Sequence, residues 1–341
     1  MTLIANALAP FQPVVAAFVN PASICSIWSL GSALLIAFVW LAARRRGRGR
    51  ALRTKTLIRA LFRRRVLFHR STKADLAYCF VSLMAFGAIL GWAVLSTAWI
   101  GNAVAGFLVG HFGERQTHAS SLALDTIRTL VLFLAYDLGF FIDHTLKHRV
   151  PALWELHKTH HSAETLTPLV NFRVHPLDSL MLANMLALFI GTASGVATFA
   201  LGRNAQSISL FDDNILMLLY IYLTAQLQHT QIWIPFTGIW GRIFLSPAHH
   251  QLHHSADAAH FNCNMGASLA VWDWFAGSLF VPPAKPPRLS YGASGFAHDP
   301  HGPMGLIVEP ALKFASAVVR AFAAKAAGSL ESARASKPAD P

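Results

Sequence analysis

Long apolar runs constrain this chain more than any other feature. Residues 22–43, 76–99, 121–142, 178–201 and 214–229 are dominated by Leu, Ile, Val, Phe, Ala and Trp. About 20 apolar residues in a helix cross the hydrocarbon of a bilayer. Inside lipid no water satisfies a bare peptide group, so runs of this kind can only be helices. The pattern predicts an all-α, multi-span transmembrane helical bundle of about five spans, a leading helix and two hairpins. Composition agrees: only 13% of residues are charged, against about a quarter in soluble domains. No charged segment precedes the first run and no small-residue cleavage site follows it, so 22–43 reads as a retained span. Residues 1–20, apolar with prolines, are placed at the interface. The glycine-rich stretch 100–120 is expected to be an outer loop or a partly embedded segment. Asp125 and Arg128, three apart, are expected to pair on a helix surface. Asp212 and Asp213 fall in a short outer turn.

Charge sets the orientation. The formal net charge is +12, yet thirteen of the 28 Lys and Arg residues lie between Arg44 and Lys73. Such a run can indicate nucleic acid. Beside long apolar segments it indicates a cytoplasmic loop facing anionic lipid, so no nucleic-acid partner is expected. Counting spans from that loop puts His144, at the end of the third span, on the cytoplasmic side. The segment 232–287 falls on the same side. Three parts follow: 1–75, a membrane helix and basic loop; 76–281, the main membrane domain; 282–341, a Pro/Gly-rich segment, a peripheral helix at 310–327 and a disordered tail from Ser329. Cys25, Cys79 and Cys263 are too far apart for a thiolate metal site and read as packing residues or spectators.

The chemistry lies in the histidines. Twelve of 17 fall between His144 and His260. His144 and His148 are four apart and share a helix face. Pro151 then ends or redirects that helix. His157, His160 and His161 form His-x-x-His-His, and His250, His253 and His254 repeat it. His175 and His229 are added as site candidates, while His249 is read as a spectator and His260 is left open. Imidazole-rich shells suit divalent transition metals rather than Mg or Ca, which take oxygen ligands. The metal candidates are thus His144, His148, His157, His160, His161, His175, His229, His250, His253 and His254, enough for two ions. Asp137, Asp143, Asp178, Asp257 and Asp273 are candidates to hold imidazole N–H groups. Glu155 and Glu164 read as solvent-exposed. Asp137, inside a span, requires a partner. No Ser/His/Asp constellation, P-loop or Gly-x-Gly-x-x-Gly turn is present, so no nucleotide or flavin site is expected.

These residues resemble the fatty acid hydroxylase/sterol desaturase superfamily of integral-membrane, histidine-box di-iron enzymes, from about Leu130 to Leu279. The resemblance extends to Asp137 seven residues before His144, to Leu153–Ser162, and to Arg173-x-His175-Pro176. It continues through Pro247-x-x-His250-x-x-His253-His254-Ser255, Asn264-x-Gly266 and Trp272-Asp273. Thr145, Phe141, Gln231 and Ala276 depart from common family residues, and no cytochrome b5 signature is present. The resemblance implies an O2-dependent oxidoreductase holding two Fe ions, with Zn as a substitute in purified protein. It implies hydroxylation or desaturation of a membrane lipid of the sterol or fatty-acyl class. Electrons would come from an external protein, a ferredoxin, cytochrome b5 or a reductase. A histidine-rich divalent-metal transporter or sensor is the competing expectation, although a transporter should place its ligands near mid-membrane. A third reading is a zinc-filled or metal-free structural descendant of such enzymes.

Overall fold

A computed structural model of the protein describes residues 12–115 and 119–335. Residues 1–11, His118 and 336–341, on which some of the expectations above fall, lie outside them. The principal helices are α1 (Ile27–Arg46), α2 (Arg70–Leu90), α3 (Thr97–Phe112) and α4 (Leu122–Arg149). They continue with α5 (Pro151–His161), α6 (Pro176–Leu201), α7 (Pro247–His253) and α8 (Glu309–Ala335). The strands among the described residues, β1 (Ser209–Leu210) and β2 (Asp213–Asn214), form a two-residue hairpin. Its turn residues Phe211 and Asp212 both have positive φ, 54° and 66°, as a type I′ turn demands.

The protein is a membrane protein. Helices α1, α4 and α6 are each long and apolar enough to cross a bilayer. Their large apolar side chains point outward: Leu35, Val39, Leu130, Leu134, Leu188 and Val196 are all exposed. A soluble surface does not carry such a band. The expected spans at 76–99 and 214–229 also fall on helices, with different limits. Helix α2 stops at Leu90, and a 3-10 turn, Gly91–Ala93, follows it. The helical run Ile215–Gln228 is short and contains a π-helical segment, Ile221–Ala225.

Of the stretch 100–120, expected as an outer loop or a partly embedded segment, residues 100–112 belong to helix α3, packed along α6 in close backbone contact. A Cβ on Gly195 would lie 2.6 Å from the Gly101 carbonyl oxygen and 2.7 Å from Val104 Cβ. One on Gly191 would lie 2.8 Å from Ile100 Cβ. Glycines that signal a loop in water mark, in lipid, the place where two helices touch. The expected Asp125–Arg128 pair does not form. Arg128 donates to Ser194 Oγ (3.0 Å) and Thr198 Oγ1 (3.1 Å) on α6. Asp125 accepts from Gln206 N (2.8 Å) and Ser120 Oγ.

The C-terminal region is more than peripheral. Helix α8 packs on α5, continues through Ser329 to Ala335, and is preceded by a strap, residues 295–308. Thr159 Oγ1 donates to Leu306 O. Glu309 accepts from Ala297 N (2.7 Å) and His298 N (2.9 Å) and pairs with Lys313 (2.6 Å).

Candidate metal centre

Four segments deliver nine imidazoles to one buried region. Helix α4 ends in His144 and His148, on one face. Val150 is the N-cap of α5, and Pro151 occupies its first turn, where its missing N–H costs nothing. The chain therefore turns without a gap, and the last turn of α5 presents His157, His160 and His161. His229 caps Gln226–Gln228 in a non-helical conformation, φ −100° and ψ 53°. Helix α7 contributes His250 and His253, and His254 is its C-cap.

The rings sort into two groups. His144, His148, His157, His161 and His253 form one; His160, His229, His250 and His254 form the other. Within each group the candidate ligand nitrogens all lie within 4.8 Å of one another. His144 Nε2 and His157 Nε2 are 3.1 Å apart. In the second group His229 Nε2 lies 2.9 Å from His250 Nε2, 3.1 Å from His254 Nε2 and 3.2 Å from His160 Nε2. A neutral imidazole has one N–H, so it cannot satisfy three such contacts. Nitrogens bound to one metal at about 2.0–2.1 Å are separated by roughly 3.0–3.4 Å, the spacing seen here. His148, His161 and His253 each bury an Nε2 with no partner. The residues present therefore fit a pair of transition-metal ions.

Protonation agrees. Burial first, and neighbouring imidazoles second, push His160, His161, His250 and His254 well below the ordinary histidine range. The same causes lower His229 and His253 to about 3. At neutral pH these rings are neutral and keep a lone pair for a metal.

In the first group the outer nitrogens are anchored. His144 Nδ1 donates to Met265 O (2.7 Å), His253 Nδ1 to Cys263 O (2.8 Å) and His157 Nδ1 to Asp178 Oδ2 (2.9 Å). Each bond fixes the tautomer that leaves Nε2 free. The loop that carries these two carbonyls is held in turn by carboxylates. Asp273 accepts from Met265 N (2.7 Å), Gly266 N (2.9 Å) and Ser278 Oγ (2.6 Å). Asp137 accepts from Ser268 N (2.9 Å), Leu269 N (3.2 Å) and Trp272 Nε1 (2.8 Å). That is the partner required of a carboxylate inside a span, and it is a set of N–H donors rather than a cation. Asn264, at φ 55°, bridges His249 O (3.1 Å) and Phe280 O (3.0 Å). The loop 263–269 is thereby clamped against the imidazoles.

His175 is the site candidate that the fold places elsewhere. It is the N-cap of α6, its Nδ1 accepting from Leu177 N (3.2 Å) and its Nε2 donating to Ile307 O (3.0 Å). Both ring nitrogens are engaged, and it belongs to neither group. Its neighbour Arg173 is also structural. Arg173 pairs with Asp75 (2.6 Å) and donates to Thr159 O, Ser162 Oγ, Pro300 O and His301 Nδ1. His249, expected to be a spectator, caps its own helix through Ser246 and donates to Gly241 O (3.0 Å). His260 meets Ser255 Oγ (3.0 Å), and Asp257 caps a short 3-10 turn through Ala259 N. Glu155 and Glu164 are not free: Glu155 pairs with Lys158, and Glu164 accepts from Arg70 (2.8 Å). Lys147, which no spacing argument singled out, is buried between Asp143 (2.6 Å) and Asp178. It neutralises the carboxylate that holds His157. Its position four residues after Asp143 was the available signal.

A cavity of about 490 Å³ opens onto the rings. Its wall includes His148, His161, His253 and His254, with Trp154 and Phe261.

A buried, twofold histidine cluster, begun at the end of the membrane-spanning helix α4, gives this membrane protein the donor set of a metal centre. Residues 129–278 match the fatty acid hydroxylase family. Among similar proteins, a Delta(7)-sterol 5(6)-desaturase of Aspergillus fumigatus is 31% identical over 166 residues, 46% of this chain and 50% of that protein. Human cholesterol 25-hydroxylase is 29% identical over 164 residues, 47% of this chain and 54% of its own length. Human alkylglycerol monooxygenase is 27% identical over 150 residues, 43% and 29% of the two chains. The chain thus spans about half, or less, of the curated relatives it matches. No solved structure matches it. Residues 129–278 thus carry a fatty acid hydroxylase domain, and over this region the chain is similar to a sterol desaturase, a cholesterol hydroxylase and an alkylglycerol monooxygenase.

Proposed function

We propose that the protein is a membrane-bound, non-haem di-iron oxygenase that hydroxylates or desaturates a lipid of the sterol or fatty-acyl class. The observation that carries this reading is the convergence of nine imidazoles from four segments into two groups. Two iron ions held there would supply O2 activation and attack on an unactivated C–H bond. Hydroxylation consumes O2, two electrons and two protons and releases one water; desaturation releases two waters. In this reading the electrons come from an external carrier protein.

The chain's own residues hold, orient and shield. The nine histidines would hold the metals, five in one group and four in the other. Met265 O, Cys263 O and Asp178 set the tautomers of His144, His253 and His157. Burial of every ring except the half-exposed His148 keeps bulk water from a strong oxidant. The cavity beside Trp154 and Phe261 gives an uncharged, partly apolar approach to the rings. The protein is multi-pass, with the histidine centre on the cytoplasmic side, as the basic stretch implies. Histidines at helix ends rather than mid-membrane favour this reading over a metal transporter.

Lipid profiling by mass spectrometry of cells with and without the gene tests the activity. A lipid gaining one oxygen or losing two hydrogens is expected. Purified protein should carry about two metal ions per chain, and His160→Ala or His253→Ala should abolish turnover while the protein still inserts. Full metal content and turnover in both variants would remove the proposal.

A further inference from the structure

Between Arg44 and Arg65 the chain places eleven cations and no acid. Among the described residues none of the eleven joins an ion pair. Like charges left unpaired repel one another, so a surface of this kind is completed by an anion. The structure gathers part of the set: Arg59, Arg63, Arg64 and Arg65, with His69, line an open cup of about 580 Å³. All four arginines are exposed. The connecting helix Thr54–Leu61 buries Leu57 against the protein and turns Arg59 outward.

The cup is not isolated. Arg63, Val66 and Gln231 also line a second cavity, an apolar groove of about 260 Å³. One wall of that groove is the face Leu30, Ala33, Leu34 and Ala37 of the membrane helix α1; another is Leu166 and Leu227. A cluster of guanidinium groups opening directly onto an apolar groove beside a membrane helix is complementary to one kind of molecule. It must be an amphiphile with an oxyanion head and an alkyl tail. Guanidinium groups match phosphate by paired N–H donors.

We propose that this cup and groove bind an anionic phospholipid, its phosphate among Arg59, Arg63 and Arg64 and an acyl chain along Leu30, Leu34 and Leu227. None of the nine clustered histidines lines the cup or the groove, although Leu227 and Thr230 flank His229, and the proposal stands whether or not they hold iron.

The test uses the full chain in detergent, with a fluorescent phosphatidic acid and the matching phosphatidylcholine as probes. Wild type is expected to bind phosphatidic acid at least tenfold tighter. Each basic charge near an anionic lipid is worth about fivefold. Arg59→Gln/Arg63→Gln/Arg64→Gln should therefore weaken phosphatidic acid on the order of a hundredfold, with unchanged metal content and helical circular dichroism. These side chains are exposed, so the fold should tolerate the change. Leu34→Trp, an exposed residue of the groove, should weaken both lipids. Inorganic phosphate at millimolar concentration should fail to displace the probe. Equal binding of the two lipids, or undiminished binding by the triple variant, would overturn the site. Displacement by inorganic phosphate with no effect of Leu34→Trp would reduce it to a free-anion cup and overturn the lipid assignment.

Discussion

Replacing Arg173 by Met should unfasten three parts of the protein at once. The guanidinium is fully buried and reaches Asp75 on α2, Thr159 and Ser162 at the end of α5, and Pro300 and His301 on the strap. Methionine fills much of the space and donates nothing. Asp75, also fully buried, would be left as an uncompensated carboxylate. Breaking a buried ion pair from one side costs about 3–5 kcal/mol. The Thr159 and Pro300 carbonyls would lose a donor as well, which places the total at the upper end of that range. The assay is a chemical-denaturation midpoint in detergent, read for Arg173→Met, Asp75→Asn and the double variant. The single Arg173→Met change should cost at least about 3 kcal/mol. The double variant should cost less than the sum of the singles, because it removes the stranded charge. Amide exchange should quicken across residues 295–308. A loss below about 1 kcal/mol, or strictly additive singles, would refute the view that Arg173 is the shared fastener.

Other outcomes follow from single contacts. Asp178→Asn weakens the acceptor of His157 Nδ1, so metal affinity should fall about 10–100-fold with little change in helical content, measured by metal titration. His175→Ala should leave metal content near wild type and raise amide exchange around Ile307, since its ring ties the strap and not the metal groups. Gly195→Leu should destabilise the α3–α6 pair and lower the yield of inserted protein, whereas Gly106→Ala, with nothing within 4 Å of its added Cβ, should be neutral; the comparison is made by thermal midpoint. Reporters fused after Lys73 and after Gly277 should read the same side of the membrane, and opposite sides would rule out a shared site.

The histidine groups were legible because imidazole spacing on a helix is local. His144 and His148 share a face, and His157 and His161 do too, whatever the rest of the chain does. Which ring joins which group was not legible. His160 and His161 are adjacent in sequence yet enter different groups, because successive helical residues diverge by about 100°. His175 misled for a related reason. Its neighbours Arg173 and Pro176 suggested a site motif, but the motif serves a chain segment more than a hundred residues away. No local pattern shows that Arg173 meets Pro300. The helix α3 was missed because glycine punctuates structure in water, and its packing use in lipid depends on a partner that only the fold supplies. Lys147 escaped notice because a lysine on a helix is ordinarily solvated; here Asp143 and Asp178 enclose it.

The strap has a consequence for how the protein is made. Arg173, Thr159 and His175 lie in the middle of the chain, yet the atoms that satisfy them, Pro300 O, Leu306 O and Ile307 O, are synthesised long after the membrane helices have left the ribosome. Until then the histidine cap has its ligands but lacks its outer brace. A nascent chain is therefore inserted first and braced last, the strap being the final part of the fold to find its partners.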